Sequence, residues 1–296
     1  MTTRKRCAQA LIGLLVFVLA GCARITPTEI AEMHNIQTIF SHTTGRFITR
    51  GDAEIFVEEI GVPDGPVLLM LHGGFGTIED FNSIAPTLSR HFRLIGIDSR
   101  GHGRSTLGST RLSYTTLAED LKAVINTLDL RAFSIFGFSD GGVAAYRYAT
   151  ENDARLLKIV TVGASWEMNK DEPCWVLISG MTAEIWKDMF PASYETYMRL
   201  NPQPDFDTFA GSVVRMWTDL SQDGHPAERM RDVSADMLVI RGDKDLLTTL
   251  ESMARLQAMT ENVDFLNVPF AEHVAFDDSP EIVLCAMGKF LGVALN

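Results

Sequence analysis

The sequence predicts an α/β fold: a mostly parallel central sheet with helices on both faces and a helical insertion over one edge. Three observations predict it. Short apolar runs alternate with longer amphipathic segments from about residue 50 to the end of the chain. The pentapeptide Gly137-Phe138-Ser139-Asp140-Gly141 sits directly between one such run and one helical pattern. The alternation breaks only once, over 165–232, where all four tryptophans (Trp166, Trp175, Trp186 and Trp217) occur among several Met and Phe with no strand pattern.

In chain order, strands are expected at Ala53 to Ile60, Val67 to Leu71, Arg93 to Ile97, Ala132 to Phe136, Lys158 to Val162, Met237 to Arg241 and Val263 to Val268. Helices are expected near 80–90, 115–128, 140–150 and 249–260. The last helix should open at Ser279-Pro280-Glu281, where Ser279 caps and Pro280 suits the first helical turn. These elements give a core of residues 46–164 and 233–296, interrupted by a helical cap over 165–232. Such a cap would lie over the carboxyl ends of the strands, the edge where open α/β sheets bind ligands.

Residues 1–21 read as a targeting segment and 22–45 as a polar tether to the domain. Arg4-Lys5-Arg6 is a positive start, and Leu11 to Ala20 is an apolar stretch broken only by Gly13. A membrane-spanning helix needs roughly 20 apolar residues, so this stretch is too short. Leu19-Ala20-Gly21-Cys22 resembles the bacterial lipobox. The resemblance implies a diacylglycerol on Cys22, cleavage before it, and a fatty acyl group such as palmitate on the new amino terminus. Several buried acyl chains at about 0.8 kcal/mol per CH₂ would anchor the chain stably. Ala23 after the cysteine then favours the outer membrane of the cell envelope, facing the periplasm. An ordinary cleaved signal and an uncleaved anchor are the alternative readings.

Composition narrows the partners. Lys and Arg number 26 against 38 Asp and Glu, a formal charge of −12. Losing the leader's three positive charges takes this to about −15. Nucleic-acid binding rests on clusters of Lys and Arg that displace counterions, and the mature region has none, so no nucleic-acid partner is expected. With Cys7 in the leader and Cys22 lipidated, Cys174 and Cys285 remain. Export to an oxidising compartment leaves a disulfide between them open, against the alternative that Cys285 is buried and free in the apolar pattern of the last helix.

The pentapeptide carries the chemistry. A Gly-x-Ser-x-Gly turn between strand and helix strains the serine backbone and exposes its hydroxyl, and the flanking glycines let the two backbones pass closely. The backbone N–H of Asp140, at the helix start, is aimed at a developing oxyanion. A second donor is expected from Leu71-His72-Gly73-Gly74-Phe75-Gly76, where the Gly74 N–H can approach a substrate oxygen and Phe75 is the next candidate. His72 reads as a structural ring that holds this loop. A serine hydroxyl needs a histidine base, whose tautomer a carboxylate must fix. Asp245, after the strand ending at Arg241-Gly242, and His273, after Val268, supply both in the chain order this arrangement requires. Asp243 stays open as the acid, and Glu272 stands where a glycine usually precedes this histidine.

Together the HGG loop, Asp98-Ser99-Arg100-Gly101-His102-Gly103-Arg104-Ser105, Gly137 to Gly142, Gly242-Asp243-Lys244-Asp245 and the late histidine resemble the α/β-hydrolase superfamily over residues 50–296. The resemblance implies a serine hydrolase that uses Ser139, Asp245 and His273, with no metal and no organic cofactor. His102 and Arg104, in a structural turn, have no catalytic part. A serine at the elbow argues against the haloalkane-dehalogenase and epoxide-hydrolase branches, which use an aspartate.

The substrate reading is coarser: a small or medium carboxylic ester, cleaved through an acyl-serine. Phe75, Asp140 and Trp166 are candidate substrate contacts, and the other aromatic residues of the insertion either line a pocket or form the cap's own core. Gly137 to Gly142 is similar to the elbow of valacyclovir-hydrolase-like esterases, where the acidic residue helps recognise an amino group. Alternatively, Asp140 serves only the helix dipole. Two other readings stand beside the ester: amide or peptide cleavage, as in prolyl aminopeptidases that share HGG, and a non-catalytic envelope lipoprotein that uses the fold as a binding scaffold. The first is weakened by Phe75 where that family has proline and Asp140 where it has tryptophan.

Overall fold

A computed structural model describes residues 37–295 of the chain. The targeting segment, Cys22 and the tether as far as residue 36 lie outside the described residues. Eight strands form one sheet: β1 (Arg46–Arg50), β2 (Ala53–Gly61), β3 (Val67–Leu71), β4 (Arg93–Ile97), β5 (Phe133–Phe138), β6 (Leu156–Val162), β7 (Asp236–Gly242) and β8 (Val263–Val268). Their order is β1-β2-β4-β3-β5-β6-β7-β8. The first three are antiparallel neighbours, and every pair from β4 to β8 is parallel.

Strand burial explains the apolar runs. Along β3, Leu68 and Met70 join one buried cluster while Leu69 and Leu71 join the other, so both faces are covered and alternate side chains serve opposite layers. One layer packs on α2 (Tyr114–Thr127) and α3 (Asp140–Ala149) through Leu117, Leu121 and Tyr146. The other contains Phe81, Phe276, Val283 and Met287, the last two from α10 (Pro280–Leu291). Because β3 and β5 to β8 run the same way, the loops that follow them gather at one edge of the sheet.

The insertion is helical throughout its regular structure: α4 (Trp175–Ser179), α5 (Ala183–Met189), α6 (Pro191–Leu200), α7 (Phe206–Trp217) and a 3-10 turn at Ala227–Asp232. Asn201 ties it to the core, its side-chain amide donating to the carbonyls of Gly101, Gly103 and Ser105.

Four features depart from the sequence expectations. The helix near 80–90 is two short pieces, a 3-10 turn at Ile78–Phe81 with a capping box between Thr77 and Asp80, then α1 (Ala85–Leu88). Strand β1 is additional, an edge strand in which only Ile48 is buried, so it presents no apolar run. Residues 37–45, expected as tether, pack on the sheet instead: Phe40 is buried, and the buried Glu58 of β2 accepts from the backbone amides of Ser41, His42, Thr43 and Thr44 at 2.8–3.1 Å. Burial alone would raise the Glu58 carboxyl, but these donors outweigh it and hold it below its ordinary value. Finally, Cys174 and Cys285 are both free, and Cys285 is exposed because α10 buries Val283, Met287 and Gly288 rather than that face.

Candidate active site

Ser139 is the residue between β5 and α3, held at φ 49° and ψ −118°. This sparsely populated backbone conformation is the strain expected of a strand-to-helix elbow. The flanking glycines are needed for close approach: a Cβ on Gly137 would stand 2.6 Å from Gly142 Cα, and one on Gly141 would collide with the Leu71 carbonyl.

Three side chains distant in sequence meet here. His273 Nε2 is 3.0 Å from Ser139 Oγ, and His273 Nδ1 is 3.0 Å from Asp245 Oδ2. The buried Asp245 carboxylate also accepts from Thr248 Oγ1 at 2.6 Å and from the Leu247 amide at 2.8 Å. Burial works against its ionisation, but the bonds from His273, Thr248 and Leu247 prevail and hold its carboxyl below the usual value. An ionised acceptor on the Nδ1 side fixes that proton there and leaves Nε2 free to accept one. Asp243 is exposed and reaches no part of this array; its amide only donates to Val268 O at 2.9 Å.

The loop after β3 lies alongside, and a Cβ on Gly73 would stand 3.1 Å from that of Ser139. Gly74, Phe75 and Asp140 all line the cavity, and neither the Gly74 nor the Asp140 amide donates to another of the described residues. His72 holds the loop as expected: Ser99 N–H donates to its Nε2 at 2.9 Å, so its Nδ1–H donates to Gly73 O at 2.7 Å. His102 donates from Nδ1 to Arg100 O at 3.1 Å, packs edge-on against Phe209, and is not among the residues that line the cavity.

The cavity beside Ser139 has a volume of about 740 Å³. Its lining mixes apolar side chains, Val143, Met168 and Ile178 among them, with polar ones such as Thr77, Asp80, Glu272 and Asp278. Phe75, at φ 59°, is stacked on Trp186 of the cap with centroids 4.0 Å apart, and its carbonyl accepts from Ser193 Oγ at 2.9 Å. Asp140 is buried; Tyr114 Oη donates to it at 2.7 Å and Trp217 Nε1 at 2.8 Å. Burial pushes its carboxyl above the ordinary value although both donors oppose this. Asp140 thereby ties the cap to the elbow, a role its sequence position did not suggest. Trp186 and Trp217 line the cavity. Trp166, expected as a substrate contact, does not: it is buried elsewhere, with Nε1 donating to Ser252 O at 3.0 Å.

Gly163, at the end of β6, is a site residue the sequence reading missed. It sits at φ 61°, and a Cβ there would stand 2.8 Å from His273 Cε1. Its signal was a glycine directly after an apolar strand, at the edge where the site assembles.

Comparison with known proteins agrees with the architecture. The family model of the alpha/beta hydrolase fold matches residues 66–216. The AB hydrolase superfamily protein YisY of Bacillus subtilis is 28% identical, over 83% of this chain and 98% of its own length. The pimeloyl-[acyl-carrier protein] methyl ester esterase of Nitrosospira multiformis is 24% identical, over 81% of this chain and 99% of its own. The structure of a thermophilic esterase from Thermogutta terrifontis superposes with a TM-score of 0.69 at 20% identity, covering 84% of this chain and 98% of the other.

Proposed function

The chain belongs to the alpha/beta hydrolase fold family, and from that premise we propose that it is a serine hydrolase cleaving a small or medium carboxylic ester through an acyl-serine intermediate. The observation that carries the reading is the continuous path Ser139 Oγ to His273 Nε2 to Asp245 Oδ2, at 3.0 Å for each step. Relatives whose names are hydrolase and esterase support it.

In this reading His273 takes the Ser139 proton as Oγ attacks the ester carbonyl, and Asp245 stabilises the imidazolium without taking the proton itself. The oxyanion is held by the amides of Gly74 and Asp140, each such donor lowering the barrier by about 2.7–4 kcal/mol. Collapse expels the alcohol with the proton from His273. Water, deprotonated by the same imidazole, then releases the acid and restores Ser139. Since His273 must reach the leaving oxygen, this reading puts the alcohol toward the chain neighbours of His273, Glu272 and Val274, and the acyl chain toward Asp140 and Val143, which follow Ser139; all four line the cavity.

A fluorophosphonate probe tests the reading. Labelling of the folded chain that disappears in Ser139→Ala is expected, with turnover on an ester, thioester and amide panel highest for esters. No labelling of folded wild type would favour a binding scaffold, and faster turnover of amides an amidase.

Attachment to the bacterial envelope by a lipid on Cys22 is proposed as well, on the leader and lipobox pattern. Among the described residues no helix is long and apolar enough to cross a membrane. Membrane partitioning of the full chain should be lost in Cys22→Ser; unchanged partitioning would refute the attachment.

A further inference from the structure

The cavity beside Ser139 is also lined by a histidine that the proposed reaction does not use. His225, beyond α7, is only 9% exposed, and its ring stands edge-on to Tyr114 with centroids 4.8 Å apart. Tyr114 in turn donates to Asp140, the residue after Ser139. Nδ1 of His225 is sealed and has no hydrogen-bond partner among the described residues. Nε2 has no partner there either, but it is not sealed, and His225 lines the same cavity as Ser139 and His273.

Burial pushes this imidazole down to about 3, so the ring is neutral and carries a single N–H. A proton on Nδ1 would bury a donor with nothing to receive it, an arrangement folded proteins avoid more strictly than an unmatched acceptor. The proton therefore belongs on Nε2, the nitrogen that can meet a ligand. The surroundings select the ligand's charge. The Asp140 carboxylate lies just beyond Tyr114, and Asp219 adds negative potential although Arg111 pairs with it at 2.7 Å. An anionic group would be repelled; an uncharged acceptor would not.

We infer that His225 is a specificity-determining residue for the acyl chain, donating from Nε2 to an uncharged acceptor, an ether, ketone or hydroxyl oxygen, carried on that chain. The inference rests on the ester-hydrolase reading and deepens it. A cavity wall that presents an unpaired donor disfavours a plain hydrocarbon, which would leave that donor unmatched.

The test uses the full chain with p-nitrophenyl octanoate and three isosteric analogues in which an ether oxygen replaces the methylene at C5, C6 or C7. The readout is the ratio of kcat/KM for each analogue to that for octanoate, so a general loss of activity cancels. In His225→Phe, which keeps a ring against Tyr114, the ratio should fall about 3- to 10-fold for at least one analogue, the worth of one hydrogen bond to an uncharged group. His225→Gln, which restores a donor, should recover part of it. Should the Phe variant not fold, His225→Leu is read in the same way. Ratios within about twofold of wild type for all three analogues in the deletion variant would overturn the inference while leaving the ester-hydrolase reading intact. No turnover of any ester by wild type would instead defeat that reading, and this inference with it.

Discussion

The indole N–H of Trp217 reaches both oxygens of Asp140, at 2.9 and 2.8 Å, so the last long helix of the cap is tied to the residue beside Ser139. A buried carboxylate left short of a donor typically costs about 1–3 kcal/mol. Trp217→Phe should destabilise the protein by about that amount in urea unfolding, and it should lower kcat/KM by loosening the wall of the site. In a double-mutant cycle with Asp140→Asn the two losses should fall short of additivity. Additive losses would mean that the tie carries no energy.

Gly163→Ala combines a strained backbone with a Cβ 2.8 Å from His273 Cε1. The imidazole has to move, and a displacement of about 1 Å at a reacting group can cost about 100-fold in rate. Burst-phase ester kinetics should show acylation slowed by about that factor while far-UV circular dichroism stays native. Wild-type acylation in a folded Gly163→Ala would show that the ring does not depend on this gap.

Asp245 and Asp243 are two residues apart, yet only Asp245 reaches His273. Asp245→Asn should lower kcat by about 10⁴-fold, since an amide donor facing Nδ1 selects the wrong tautomer. Asp243→Asn, at an exposed position, should change kcat by less than about threefold. Reversed effects would move the acid to Asp243.

The pH dependence of stability should report on His42. Burial by itself would lower its pKa, but Asp98 at 2.9 Å and Glu79 at 2.7 Å prevail and raise it above 6.5. A group whose pKa is raised on folding stabilises fully below its unfolded value, and that contribution fades as pH rises through the folded value. The Tm difference between wild type and His42→Gln should therefore be widest near about pH 6 and shrink toward about pH 9. A constant difference across this range would mean that the interaction is not ionic.

What the sequence revealed, and what it hid, follows from the range of the interactions involved. Two-sided burial of β3 to β7 leaves continuous apolar runs such as Leu68 to Leu71, which are local signals. Ser139 was legible because the elbow compresses strand, turn and helix into a few residues. Asp245 and His273 followed because each lies in the loop after a strand, β7 and β8, at the same edge. By contrast, β1 buries one residue in five and was invisible to periodicity. The packing of residues 37–45 depends on Glu58 receiving four amides, a contact that no local pattern records. Trp166 was misplaced for a related reason: its aromatic neighbourhood in sequence is the cap, but its indole is satisfied by Ser252 on the far side of the insertion. Gly163 acts through a ring 110 positions away along the chain.

The stack of Trp186 on Phe75 and the bond from Ser193 to the Phe75 carbonyl join two helices overhead to the strip of chain next to the Gly74 amide. Any displacement of those helices would pull on that strip through both contacts. In the proposed reaction the seating of the insertion would therefore set how squarely the Gly74 amide faces the nascent anion, and a substitution that loosened the insertion would be felt at an atom it never touches.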